Sequence, residues 1–411
     1  MKDNPPTHAA AGPLRGLRVL ELGQLIAGPF CGRMLADFGA DVLKVEPPVG
    51  GDPLRSWRVV KDGNSIWWEA QSRNKRSVAI DLRHREGQSL ARDLIAQSDV
   101  VIENFRPGQL EQWGLDYAQL SPTQPGLIML RISGYGQDGP YRDRPGFGVI
   151  GEAMGGLRYL TGEPGRIPVR VGVSIGDSLA ALHGVIGVLM ALREREVNGG
   201  RGQVVDVALY EAVFNTTESL LPEFSVEGLV REPSGSAMPG IAPTNAYRCS
   251  DGLVLIAGNG DGIFRRLMRA IGREDLAEAP ALQHNAGRVR QVDQLDHAIG
   301  QWTGERSVAQ VLETLNAAAV PAGRIFSAAD IAADPHYRAR DMLLAASSRE
   351  GYSLIQPGIV PKLAGTPGQL RSKAPRLGEH TEAVLSGLGL DAARIAQLIE
   401  EGVIRAPSSV S

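Results

Sequence analysis

Short apolar runs alternate with helically spaced stretches from the start of this chain, and glycine marks most of the junctions. Leu17–Leu22 is a compact, mostly apolar segment carrying Arg18 and Glu21, and it reads as a buried strand. Gly23–Gly28 predicts a tight loop, and Pro29 sits in the first turn of a helix, where its missing N–H costs nothing. That helix is expected to stop at Gly39, and Asp41–Glu46 to return as a second strand, which makes a βαβ unit. The alternation continues with a strand at Ser77–Leu82, a helix at Arg85–Ala96, and strands at Asp99–Glu103 and Gly126–Ile132. An open, mainly parallel sheet of the α/β class, with helices on both faces, follows from this order. Next comes Val171-Gly-Val-Ser-Ile-Gly-Asp-Ser178, a glycine-punctuated entry to an apolar helix over Leu179–Arg195 that delivers Asp177 to the helix start. The rhythm loosens across Glu211–Pro222. Asn245–Ile256 then predicts two strands about an Asp251-Gly252 turn, and helices follow at Gly262–Ile271 and Ser307–Ala318. Residues 225–325 therefore form a smaller α+β domain. A strand segment near 352–366 and a helix at Asp391–Glu400 close the chain, while residues 1–12 are a disordered tail.

Composition narrows the function by exclusion. A net charge of −3 with interleaved signs gives no nucleic-acid face. Cys31 and Cys249 are far apart and no export signal precedes them, which points to a reduced, cytoplasmic protein. No apolar run is expected to approach the roughly 18 residues of a membrane span. The histidines show no metal-ligand spacing, so no metal is expected. The Gly23–Gly28 loop lacks the three-glycine dinucleotide pattern, so neither a nicotinamide nor a flavin cofactor is expected. The residues leave its role open between structural turn and ligand loop. Glu103-Asn-Phe-Arg-Pro-Gly108 joins an amide, an aromatic face and a guanidinium at the carboxyl end of a strand. A nucleotide contact and a plain Pro-Gly turn both fit it. Asn74-Lys-Arg-Ser77, with Arg83, is either a solvated face or a phosphate rim. Asp177 is either a helix cap or a nucleophile.

Taken together, these segments resemble the class III CoA-transferases, the group of formyl-CoA and carnitine CoA-transferases, from about Leu14 to Ile404. The resemblance is carried by Pro13–Leu22, Ala27-Gly-Pro29, Phe38–Glu46, Asn74–Ser77, Glu103–Gly108, Gly176-Asp177, Gly199–Gln203 and Leu377–Thr381. It implies a large Rossmann-like domain built from both chain ends (13–215 and 330–411) and a smaller one, in an interlocked homodimer. It implies that Asp177 is the catalytic acyl-accepting carboxylate. It also implies that Gln24, Leu25, Ala27, Ile80, Arg83, Asn104, Phe105 and Arg106 contact coenzyme A. An ionised aspartate attacking a thioester gives a mixed anhydride and then an aspartyl-CoA thioester. Gly258, Gly260 and Gly262 are candidates to steady the oxyanions.

Two departures from the formyl-CoA pattern, Ile26 and Phe147-Gly148, make the acyl pocket less polar. A dicarboxylic acid of four to six carbons with succinyl-CoA as donor is expected, with Arg142 or Arg144 on the distal carboxylate. Two alternatives are a 2-methylacyl-CoA racemase on the same fold and a non-catalytic CoA-binding protein. The racemase is disfavoured because Pro145–Gly148 replaces the relatives' histidine segment and no histidine lies between His84 and His183.

Overall fold

The computed structural model describes residues 12–407, so the expected tail lies outside the described residues apart from Gly12. The chain divides into two compact units. The first holds the described residues up to Arg158, then Val171–Pro222 and the stretch from His336 onward. The second holds Tyr159–Arg170 and Glu223–Pro335. The expected continuous block 13–215 is thus interrupted by the segment Tyr159–Arg170, which joins the second unit.

The first unit is built on a seven-stranded sheet. Its strands are β1 (Arg18–Glu21), β2 (Asp41–Glu46), β3 (Lys75–Ile80), β4 (Val100–Glu103), β5 (Ile128–Ser133), β6 (Val204–Ala208) and a terminal strand, Ile404–Arg405. From the terminal strand the order is β3-β2-β1-β4-β5-β6, all parallel except the antiparallel terminal strand. Strand order therefore reverses between β1 and β4. Doubly wound sheets bind their ligands in the crevice at that point, outside the carboxyl ends of the strands.

Side chains alternate across the sheet, so β1 sends Val19 to one core and Leu20 to the other. Helix α1 (Ala27–Asp37) covers the first face together with α4 (Ile175–Val197); α2 (Arg85–Ala96) and the C-terminal helices cover the second. Between α2 and α4 in sequence lies α3 (Gly148–Met154), which packs on α4 and on α5 (Leu209–Phe214). The strand expected at Ser77–Leu82 begins two residues earlier, because Lys75 and Ser77 point into the protein and pair there.

One expectation is overturned. Helix α4 is long and apolar enough to span a membrane by length and composition. Its Ala180, Ala181, Val185, Val188 and Leu192 instead pack into the sheet core. The other side leaves Leu182, Ile186, Leu189 and Met190 exposed, which is why the helix is apolar all round.

Beneath the loop after β1 lies a buried cluster of charges. Lys44 pairs with Glu21 at 3.0 Å and Asp52 at 2.9 Å, and Lys75 pairs with Glu21 at 2.8 Å, all four side chains being fully buried. Gly32 makes room, since a Cβ there would fall 3.0 Å from the Glu21 carboxyl carbon. Burial works against the Lys44 charge, yet Asp52, Glu21 and Glu46 outweigh it and hold its pKa above the usual lysine range. Glu21→Gln takes the ion-pair partner from buried Lys75 and leaves Lys44 with Asp52 alone. Denaturant unfolding should show the first unit destabilised by about 3–5 kcal/mol.

The second unit carries a three-stranded antiparallel sheet, in the order Ala322–Arg324, Leu253–Ala257, Thr244–Arg248. Helices Asp261–Ala270, Val292–Gly304 and Val308–Ala317 enclose a core of Val254, Ile256, Phe264, Leu267, Leu295 and Leu315. Here the amide of Gly258 donates to the Pro243 carbonyl at 2.9 Å, which removes it from the oxyanion candidates. Gly260 caps the N-terminus of the Asp261–Ala270 helix, and Gly262 lies in its first turn.

Candidate active site

At the switch point the loops after β1 and β4 are fastened by a reciprocal pair of hydrogen bonds. The Gln24 amide donates to Asn104 Oδ1 at 2.7 Å, and Asn104 Nδ2 donates back to the Gln24 carbonyl at 2.8 Å. Leu25 adopts a φ of 64°, a left-handed conformation that an L-residue rarely holds. Asp52 keeps it there by accepting the Leu25 amide at 3.1 Å, while Lys44 donates to the Gly23 carbonyl at 2.6 Å. The buried charge cluster thus acts as the bed of this loop. Sequence reasoning missed Asp52 and Lys44; the Asp52-Pro53 pair, a start signal for a helical turn, was the one available cue.

Gln24, Leu25, Ala27, Asn104, Phe105, Arg106 and Asp177 line one cleft of about 180 Å³, together with Ile26, Arg144 and Phe147. Gln24 and Phe105 also line an adjoining cleft of about 410 Å³ that contains Ile80, Leu82, Arg83 and Trp113. The residues picked from sequence therefore border two clefts with a shared wall. Phe105 is fixed edge-on against Trp113 at 5.1 Å between ring centroids, which gives the second cleft an aromatic side. Arg83 lies at its rim but is engaged by Asp81 through two hydrogen bonds, at 2.9 and 3.0 Å. The other members of that group are engaged within the protein. Lys75 is buried on Glu21, Arg76 grips Asp41, and Asn74 accepts the amides of Arg371 and Ser372. No phosphate rim forms at residues 74–77.

Behind Asn104 and Phe105 stands Glu103, buried, whose carboxylate accepts the Phe105 amide at 2.8 Å and the Arg131 guanidinium at 2.8 Å. Burial pushes the Glu103 carboxyl up to about 7, even though Arg131 and the Phe105 amide pull the other way. The folded protein therefore keeps a proton here that the unfolded chain, with an ordinary value of 4.5, releases. Unfolding free energy should fall as pH rises from about 4.5 to 7 through this group. Glu103→Gln should flatten that slope in urea titrations at several pH values.

Asp177 is the third residue of α4, where the first-turn amides and the helix dipole favour a carboxylate. Its carboxyl group lies directly over Gly148, the first residue of α3. A Cβ at that glycine would fall 2.6 Å from the carboxyl carbon. Gly176 meets the same spot from α4, since its Cβ would fall 2.7 Å from the Gly148 carbonyl oxygen. The starts of α3 and α4 thus touch glycine to glycine, and the Asp177 carboxylate fills the place where a side chain at 148 would stand. His183, the nearest histidine in sequence, is occupied: Nδ1 lies 2.8 Å from the Leu179 carbonyl and Nε2 3.0 Å from Asn215. Among the described residues no three His, Cys, Asp or Glu side chains gather as a metal site.

A doubly wound sheet, a two-part cleft at its switch point and a carboxylate at a helix start mark an α/β protein with its ligand site at the switch point. The chain belongs to CoA-transferase family III, whose family model matches residues 14–381. It is 46% identical over 395 residues to succinyl-CoA–D-citramalate CoA-transferase of Chloroflexus aurantiacus, covering 95% of this chain and 98% of that one. It is 45% identical to the beta subunit of succinyl-CoA–L-malate CoA-transferase of the same organism, with 95% and 98% covered. Among solved structures, a CAIB/BAIF family protein from Brucella suis is similar at a TM-score of 0.81 and 36% identity, covering 92% of this chain and all of that one.

Proposed function

We propose that this protein moves CoA from succinyl-CoA to a small dicarboxylic acid of four to six carbons, with malate and citramalate as the first acceptors to try. The observation that carries the reading is the Asp177 carboxylate lying over Gly148 in the same cleft as Gln24, Asn104 and Phe105. The acceptor class is supported by the relatives, whose names specify malate and citramalate.

In this account the thioester end of the substrate lies by Asp177, and the nucleotide end runs past Phe105 toward Ile80 and Arg83. An Asp177 oxygen attacks the donor's thioester carbonyl. The carbon–sulfur bond breaks, and a mixed anhydride and CoA thiolate form. The thiolate then attacks the aspartyl carbonyl, which expels succinate and leaves an aspartyl-CoA thioester. The acceptor's carboxylate attacks that thioester and the released thiolate attacks the acceptor's side of the new anhydride, which regenerates Asp177. No net proton is consumed. Water must be kept from both acyl intermediates.

The exposed apolar stripe of α4 supports burial against a second subunit, the interlocked form being what the family resemblance implies, and the two free, buried cysteines support a reducing cytoplasmic setting. The test is liquid chromatography–mass spectrometry of acyl-CoA species after succinyl-CoA is mixed with a panel of acids. Malyl-CoA or citramalyl-CoA forming as succinate is released supports the reading, and CoA transfer to none of the acids refutes it.

A further inference from the structure

We propose that Arg144 reads the distal carboxylate of the dicarboxylic acyl group and sets the preference for diacids over monoacids; this rests on the transfer reaction proposed above. Of the two arginines on this loop, only Arg144 lines the cleft with Asp177. Arg142 lies 3.5 Å from Asp143, and its charge acts on Glu111. Among the described residues Arg144 makes no ion pair, and its guanidinium lies 3.6 Å over the Tyr141 ring. Stacking of this kind orients a guanidinium while leaving its N–H donors open to a carboxylate.

The loop that carries Arg144 is closed at its neck. Gly134 and Gly146 approach so tightly that a Cβ on Gly146 would fall 2.9 Å from the Gly134 Cα. Tyr141 packs edge-on against Tyr135 at 5.9 Å. Two residues past that neck comes Gly148, under the Asp177 carboxylate. Arg144 is thereby tied to the reacting centre through a short, fixed stretch of chain. Ile26 and Phe147 give the same cleft apolar walls beside Arg144 and Asp177. Arg106, the other cation in this cleft, follows Phe105, which this cleft shares with the nucleotide side.

Succinyl-CoA and butyryl-CoA have the same chain length and differ in the terminal carboxylate, so their ratio of kcat/KM isolates the contact. Arg144→Met should lower the succinyl-to-butyryl ratio by about 100-fold, the scale of losing a charged partner, and Arg144→Lys should restore part of it. Arg106→Met should lower both donors alike. An unchanged ratio in Arg144→Met, with both donors slowed equally or neither slowed, overturns the assignment of Arg144 while leaving the transfer reaction standing. A wild-type protein that moves CoA from neither donor overturns the transfer reaction, and the role of Arg144 with it.

Discussion

Asp177→Ala should abolish acyl exchange, with kcat down on the order of 10,000-fold, while CoA still binds. The magnitude follows from the role: when the nucleophile of a covalent route is removed, only binding and positioning remain. Structure gives little reason for the fold to suffer. Asp177 lies in the first turn of α4, a helix anchored further along by Ala180, Ala181, Val185 and Val188 in the sheet core. The loops after β1 and β4, proposed to face CoA, are separate from α4 and are held by Gln24, Asn104, Asp52 and Glu103. Steady-state exchange from succinyl-CoA, beside equilibrium binding of CoA, separates the two effects. Residual exchange within tenfold of wild type would mean that Asp177 is only a helix-start carboxylate.

Gly148→Ala should be the next most damaging change, about 100-fold in kcat, for a purely geometric reason. An added Cβ would overlap the Asp177 carboxylate, the end of a side chain that turns aside more cheaply than backbone moves. The fold therefore survives and the reacting oxygen is displaced, which is the kind of misplacement that costs orders of magnitude in rate. A melting temperature close to wild type with a large drop in kcat is the expected pair of results. Unimpaired kcat would show that the carboxylate works from a different position than the one it holds over Gly148.

Much of this architecture is legible in the sequence because its strands are buried on both faces. Short apolar-rich runs bounded by turn residues, at Leu17–Leu22, Asp41–Glu46 and Asp99–Glu103, mark the buried strands, and β2 and α2 occupy the residues the pattern predicts. Strand β6 was missed. Val204–Ala208 lies at the sheet edge, interrupted by Asp206, and merges directly into α5, so no turn marks its end. The short helix α3 was missed because Gly148 and Gly151 weaken its helical signal while serving close packing.

For the site, motif residues on loops were legible, but the charges that hold those loops were not. Lys44 and Lys75 look like surface cations in a linear reading. Their burial depends on Glu21 and Asp52, which only the folded sheet brings near them. The Leu377–Thr381 motif is likewise a clasp on the sheet edge: Gly378 donates to Ser77 Oγ, His380 accepts the Ser77 amide, and Thr381 accepts the Ala79 amide.

The central claim is that Asp177 carries the acyl group and then CoA. Acid-quenched mass spectrometry of the Asp177 peptide during turnover with succinyl-CoA tests it most directly. The account predicts CoA attached to Asp177 as a thioester, cleared when an acceptor acid is added. Asp177 left unmodified through sustained turnover, with exchange persisting in Asp177→Ala, would contradict it.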